Sequence, residues 1–508
     1  MKRLLLIAAI TSVCATTWAQ NYTITEGKED GLTSFNDVSN KFGENDKCYF
    51  ICNKEGKKED TKYTISKIDK TSLKKEWVQD AKFSDFKYQV PMTYLTNLFT
   101  PVYTGNKILL FVKYFDKPKQ EVQLFMKIMT LDGATEKDWT QLGAMHSDIL
   151  GIEGRQFYCV KSPDNSKFVI VSEFKWPKKP QVVTAQFYDI STMKEIGDNI
   201  TFDDGYGAAG ISSENYMLDN AGNLSFLFYY LAQATDETIS LGIGIYPYKT
   251  KNLKVVELPL EQGKVLANYI VTTTKDGKVM YSGFFKDAVV KHSKKELKAG
   301  IYNYVIDLKG TLVSSDIQYF PDEVDAKLHY QDGLVEAPTG KKYFSLKSVT
   351  EMDGAYYLFA NHNYTISDGK TSTTIEREFV VTKFNAKGKI EWINVYPKYT
   401  RDRLNAFNMM VHNHKIYVFY LEHPTNLEKS DLQDYDAKRY HAIKDYHGSV
   451  MVGLELNADG TASRKSIAET KDWFYDPSSV NTLLEKENSL LLRMVSGKKV
   501  RFDILTIE

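Results

Sequence analysis

A chain of 508 residues with only four cysteines makes little use of disulfides. Cys14 lies in an N-terminal apolar run, which leaves Cys48, Cys52 and Cys159 in the body of the chain. Cys48 and Cys52 are four apart in one extended run, about 13 Å at the rise of a strand and beyond bridging reach. At most one disulfide can form, and the spacing supports neither a metal nor a redox site. All three are expected as buried strand cysteines. An excess of either charge is also missing, since 65 Lys+Arg face 65 Asp+Glu. That balance gives no general attraction to nucleic acid or to an anionic membrane. Beyond the N-terminus no apolar run reaches the ~20 residues of a membrane-spanning helix. Leu224–Ala232 is among the longest, and it is strand-sized. There is no H-E-x-x-H, G-x-S-x-G, P-loop or dinucleotide fingerprint, so the sequence carries no signature of zincin, nucleophilic, phosphoryl or hydride chemistry.

What the chain does have is a repeated unit, seen most clearly from Arg155 to Phe202. Four apolar-rich runs, Gln156–Val160, Lys167–Phe174, Val182–Asp189 and Ile196–Phe202, are separated by Pro163-Asp164-Asn165, by a link through Trp176-Pro177, and by Ile190-Ser191-Thr192. Runs of this length, rich in Val, Ile, Phe and Tyr and bounded by turn residues, form an antiparallel meander. The first turn recurs at Gly105, Asn165, Gly222, Gly277, Gly354, Asn413 and Asn488, at intervals of 55 to 77 residues. A second turn follows each third strand, as in Leu131-Asp-Gly133, Asp307-Leu-Lys-Gly310, Asn385-Ala-Lys-Gly388 and Asn457-Ala-Asp-Gly460. Asp or Asn leading to Gly is the chemistry of a tight hairpin.

Together the two series predict an all-β fold, a β-propeller of eight four-stranded blades, with seven as the alternative. The blades fall at about 31–83, 95–145, 155–202, 212–260, 267–320, 341–398, 404–469 and 478–507. The last has three strands of its own, Val480–Leu484, Ser489–Val495 and Lys499–Ile507. Asn21–Thr25 is expected to supply its fourth and close the ring, removing the open strand edges. Ser162-Pro163-Asp164-Asn165-Ser166-Lys167-Phe168 resembles the SPDG-type turn of TolB-like propeller repeats, with Asn165 in place of Gly and Ser166 added. The resemblance covers this one turn and implies the fold alone. The sialidase Asp-box, kelch and tryptophan-aspartate signatures are absent.

Lys2 and Arg3, an apolar run from Leu4, and Thr17-Trp18-Ala19 have the form of a secretory signal peptide. Residues 1–19 are therefore read as the signal and 20–508 as one propeller domain, exported to the periplasm or beyond and expected to be a monomer. In a four-stranded blade the first and third turns share one side of the disc, while the second connection and the crossover share the other. The added sequence falls in the second class: Lys286–Ala299, Asn361–Arg377, Glu422–Gly448 and the crossover Phe320–Lys342. Long loops on a rigid scaffold are where binding concentrates. Two of them read as helical, one starting at the capping box Ser430–Gln433 and one after Pro321-Asp322.

The loops on this face carry the candidate chemistry. Asp203, Asp204, Asp402, Asp472 and Asp476 are the carboxylates a glycan-cleaving pair would be drawn from. Tyr206, Arg401, Arg403, Trp473 and Tyr475 offer aromatic faces and guanidinium forks for a ligand. Five of nine histidines lie between His412 and His447. The His412–His414 pair is in the tight-turn class, so one shared site is not expected. His423, His441 and His447 are the subset a metal would use, yet solvated histidines are the simpler expectation and no metal or cofactor is assigned. The reading preferred is an exported, non-catalytic module binding a protein or glycan through its long-loop face. The alternative is a secreted glycan-active hydrolase or lyase with carboxylates at the tunnel mouth.

Overall fold

The computed structural model describes residues 22–27, 30–31, 38–55, 62–81, 99–116, 118–146, 155–174, 182–197, 200–203, 209–231, 238–249, 253–259, 261, 263–287, 298–307, 309–328, 343–367, 372–401, 407–428, 441, 443, 448–468, 472–476, 488–497 and 499–508. Its strands form eight antiparallel blades. Blade 1 is Val38–Glu44, Cys48–Glu55, Lys62–Asp69 and Lys75–Ala81; blade 2 is Phe99–Tyr103, Lys107–Asp116, Glu121–Thr130 and Thr135–His146. Blade 3 is Arg155–Lys161, Lys167–Phe174 and Val182–Asp189, with its fourth position divided between Lys194–Glu195 and Ile200–Asp203. Blade 4 is Ala209–Leu218, Asn223–Leu231, Thr238–Pro247 and Lys254–Pro259; blade 5 is Lys264–Thr273, Val279–Asp287, Ala299–Ile306 and Leu312–Tyr319. Blade 6 is Tyr343–Met352, Ala355–Ser367, Ser372–Phe384 and Ile390–Arg401; blade 7 is Asn408–His412, Lys415–Glu422, Val450–Asn457 and Ala462–Ala468. Blade 8 holds Phe474–Tyr475, Ser489–Ser496 and Lys499–Ile507, and Tyr22–Thr25 is its outer strand.

The second strand of each blade explains the apolar runs in the sequence. It lies between two strands of its own sheet and is covered by a neighbouring blade on each face, so both sides of the pleat are buried. In Lys167–Phe174, Phe168 and Ile170 join a cluster with blade 2, while Val169 and Val171 join one with blade 4. Each of the eight junctions between blades has its own cluster. An open row of eight blades would have seven such junctions. The eighth, between blades 8 and 1, joins Leu491 and Phe502 to Tyr49, Ile51 and Ile68. Closure also runs through the backbone, where Tyr22 pairs with Ile507 and Thr25 with Ile504. Gly27 N–H donates to Asp503 Oδ1 at 3.0 Å, and Arg501 binds Glu26 at 2.9 Å.

On the tight-turn side, hairpins from one blade hand their carbonyls to the blade before. Asn303 Nδ2 donates to Gly388 O at 2.7 Å, and Trp77 Nε1 donates to Leu131 O at 3.2 Å. Gly460 O accepts from Asn394 Nδ2 at 3.1 Å and from the Tyr396 hydroxyl at 2.5 Å. Gly460 has φ +86°, and a Cβ there would lie 2.4 Å from Asn394 Nδ2, so the turn needs glycine twice over.

Three expectations are corrected. Blade 1 begins at Val38–Glu44 rather than at about residue 31, and Asp30–Gly31 pairs instead with Val500 and Lys499 of blade 8. The segment Val480–Leu484 lies outside the described residues, and Phe474–Tyr475, read as crossover loop, is the strand beside Ser489–Ser496. Cys159 is half-buried, whereas Cys48 and Cys52 are buried; all three are free thiols. The expected helix after Pro321 is present at Asp322–Leu328, with Val324 and Leu328 buried against blades 5 and 6. The helix expected from Ser430 lies outside the described residues.

Candidate functional site

The long-loop side can be located from chain direction. The first-to-second-strand turns of blades 1 to 7 have two to five residues. On the other side, 11 residues link Asp287 to Ala299 and 27 link Glu422 to Val450. The helix Asp322–Leu328 and the insertion after Glu422 both touch Ile390–Arg401, the outer strand of blade 6. Both lie on the long-loop side, as the strand order requires.

Beneath this side, within blade 6 and between it and blade 7, charged residues gather in the protein interior. The second and third strands of blade 6 are 13 residues each, long enough to bring Asn361, His362 and Glu376–Glu378 to the long-loop end. A register shift between Glu376 and Glu378 interrupts alternation, and Glu376, Arg377 and Glu378 are all buried. Glu376 Oε2 accepts from Lys398 Nζ at 2.9 Å and from Asn361 Nδ2, and Lys347 Nζ lies 3.6 Å from Oε1. Glu378 Oε2 meets His362 Nδ1 at 2.7 Å. Lys398 is fully buried over the rings of Phe379 and Phe407, at 5.0 and 5.6 Å. Burial pushes its amine down to about 8, against the pull of Glu376.

Glu422 ends the apolar run of blade 7's second strand and is fully buried. Its Oε1 accepts from Asn426 Nδ2 at 2.7 Å and from His423 N–H at 2.9 Å. Arg464 Nη1 lies 3.7 Å from Oε2. Burial raises the carboxyl to about 7, opposed by Asn426, His423, Arg464 and Lys398. Asn426 also fastens the far end of the insertion: its Nδ2 donates to His441 O and its Oδ1 accepts from His441 N–H, both at 2.8 Å. Arg464 Nη2 donates to Asn426 O. Two residues on, Ile443 N–H donates to Tyr399 O at 3.2 Å, and Ile443 forms a parallel bridge with Thr400. Both ends of the insertion are thus held on blades 6 and 7 by buried polar groups. These groups are out of contact with solvent, so their chemistry here is positional.

The residues singled out from sequence fall as follows. Asp472 is exposed. Trp473 is half-buried with the Arg501 guanidinium 4.5 Å over its ring. Tyr475 is buried and its hydroxyl accepts from Asn408; Asp476 is buried and bound to Arg493. Asp203 ends the strand Ile200–Asp203 and Arg401 ends Ile390–Arg401, but their side chains lie outside what is described. Asp204, Tyr206, Asp402, Arg403 and His447 lie outside the described residues. His423 and His441 do come together, with ring centroids 5.4 Å apart, and His423 Nδ1 accepts from Thr425 N–H as the cap of a 3-10 turn. A different trio, Cys48, Asp69 and Glu76 in blade 1, has ligand-type atoms within 4.8 Å of one another. Glu76 is paired with Lys67 at 2.6 Å, and Asp69 with Ser72 N–H at 2.7 Å.

Sequence reasoning missed Glu376, Glu378, Lys398, Glu422 and Arg464. The available signal was a charge inside or abutting an apolar strand, as in Val395–Thr400 and Lys415–Glu422. Such a residue is either the solvated end of a strand or a buried partner in a pair, and the partner is not readable from one strand.

No family model and no curated protein matches this chain. Among solved structures it is similar to the polysaccharide lyase Uly1, at 10% identity over 75% of this chain and 85% of that one, TM-score 0.39. It is also similar to the WD40 domain of SCAP from fission yeast, at 9% identity over 96% and 98%, TM-score 0.41. A third is cobalt-substituted Synechocystis ACO, at 10% identity over 91% and 95%, TM-score 0.36. These are likenesses of fold. The chain is an eight-bladed β-propeller.

Proposed function

We propose that this chain is an exported, non-catalytic binding module that engages a protein or a glycan through the long-loop side of blades 5 to 7. The observation that supports the reading is the anchoring of the Glu422–Val450 insertion, whose two ends are tied through Asn426 to Glu422, His441 and Arg464. Anchoring a long connection at both ends lowers the entropy lost when it meets a partner. The glycan-active alternative rests on Asp203, Asp204, Asp402 and Asp472, with Asp476 already committed to Arg493.

The test replaces residues 429–440 by a short Gly-Ser linker in the full mature chain. The variant should keep its far-ultraviolet spectrum and single unfolding transition. It should lose capture on an array of bacterial, plant and host glycans, or lose its surface-protein crosslinks. Equal capture by both proteins would remove the reading. Release of oligosaccharides from any arrayed glycan would replace it with the hydrolase or lyase.

A further inference from the structure

Between blades 1 and 2 a groove opens on the flank of the disc. Its floor is Ile65, Leu110 and Met129, all buried. Its walls carry Gln79 and Asp80 from blade 1, and Lys127 and Trp139 from blade 2. The space it encloses is about 40 Å³, so a ligand would lie across its mouth against Trp139 rather than inside it. The Trp139 wall is shaped by a bulge. Lys137 pairs with Ile128 and Thr140 with Met126, so Asp138 and Trp139 both oppose Lys127. Regular alternation would send those two side chains to opposite faces; a bulge re-aims one of them. Here the Asp138 carboxylate lies 3.5 Å from Lys127 Nζ, and the Trp139 ring centroid lies 5.9 Å from the same atom.

We propose that this groove is a carbohydrate subsite, holding one neutral pyranose ring against the indole of Trp139 with its hydroxyls shared among Asp80, Gln79, Asp138 and Lys127. The set of groups selects the ligand class. An anion would meet Asp80 and Asp138, and a cation would meet Lys127. An apolar ligand would strip water from all three charges without replacing it. A neutral sugar presents a C–H face to the ring and hydroxyls that both donate and accept. It therefore satisfies acceptor-only carboxylates, a donor-only ammonium and an amide together. The subsite is on the flank, away from the Glu422 insertion, and stands independently of the reading above.

The test is saturation-transfer NMR on the full mature chain with free glucose, galactose and N-acetylglucosamine as probes. At least one sugar should show transfer, with affinity falling roughly tenfold in Trp139→Ala, the effect of one lost stacking contact. Trp139→Phe should retain most of it. Asp80 is exposed, so Asp80→Ala leaves the fold intact and should also weaken binding, which keeps the test valid if Trp139→Ala fails to fold. Transfer from none of the three sugars would overturn the proposal, as would transfer unchanged in Asp80→Ala and in a folded Trp139→Ala. The linker variant at residues 429–440 should bind the free sugars as the parent does, and its loss of array capture is read in the Asp80→Ala background, so this site and the long-loop reading fail separately.

Discussion

At the scale of single residues, the buried charges between blades 6 and 7 set opposite pH dependences. Glu422 titrates at about 7 in the folded chain, raised by burial from 4.5. A raised carboxyl contributes stability below its unfolded pKa and loses it as pH climbs to the folded value, so stability falls between about pH 4.5 and 7. The size is about 3 kcal/mol, from a shift of two to three pKa units at ~1.4 kcal/mol each. Glu422→Gln removes the titration while keeping the amide bonds to Asn426 within reach. Urea unfolding should show Glu422→Gln gaining on the parent from pH 5 to pH 8; a constant difference across that range would mean Glu422 stays charged throughout. Lys398 has the other sign. Its amine is lowered from 10.5 to about 8, so its contribution grows as pH rises from 8 towards 10.5 and is lost as pH falls through 8. Removing it leaves Glu376 without its 2.9 Å partner. Lys398→Met should therefore cost about 3–5 kcal/mol at pH 7, the usual result of stranding one buried ion. The double variant Lys398→Met, Glu376→Gln should recover much of that loss in the same denaturant assay. Equal losses in single and double variants would mean that packing over Phe379 and Phe407 is the larger effect.

At the scale of strands and turns, legibility followed turn chemistry. The strands of blade 3 were readable to within a residue at Lys167–Phe174 and Val182–Asp189 because Asp, Asn and Pro punctuate them. Blade 8 was misread at its inner edge. Phe474–Tyr475 is two residues long and paired only with Val495 and Met494, too short for any periodicity to register. The candidate carboxylates at Asp472 and Asp476 were legible as polar groups near a face. That one is exposed and the other committed to Arg493 depends on a strand 17 residues away in sequence. The second-turn glycines were read as hairpin chemistry alone. The structure adds their contact with the preceding blade, and Gly460 shows the consequence. At φ +86° a side chain is strained, and its Cβ would press on Asn394 Nδ2 and the Trp392 ring. Gly460→Ala should cost about 2 kcal/mol, combining left-handed strain with displacement of the Asn394 and Tyr396 bonds. Thermal unfolding checks this, and an unchanged Tm would mean that blades 6 and 7 do not depend on that clasp.

At the scale of the whole molecule, the ring is held by eight similar apolar junctions and one special seam. Every blade but the last is contiguous in sequence. The last borrows Tyr22–Thr25, whose partners Ile504–Ile507 are some 480 residues away. Short strands separated by so much chain add little by their backbone bonds alone, and the seam is reinforced by packing and charge. Tyr22 meets the Phe419 ring edge-on at 6.3 Å, Ile24 packs on the cluster shared by blades 7 and 8, and Glu26 and Gly27 bind Arg501 and Asp503. Removing residues 1–27 would leave Ile504–Ile507 as an open edge, a ready template for another chain, while Asp30–Gly31 keeps its pairing with Lys499 and Val500. The truncated protein should have a lower Tm and should form larger species with rising concentration in light scattering. A synthetic peptide of residues 20–27 added in trans should bind by strand addition and reverse both effects. A scrambled peptide of the same composition should not, because Tyr22 and Ile24 would no longer face blade 7. If the truncated chain remains monomeric with an unchanged Tm, the eight apolar junctions close the disc by themselves and the N-terminal strand is dispensable.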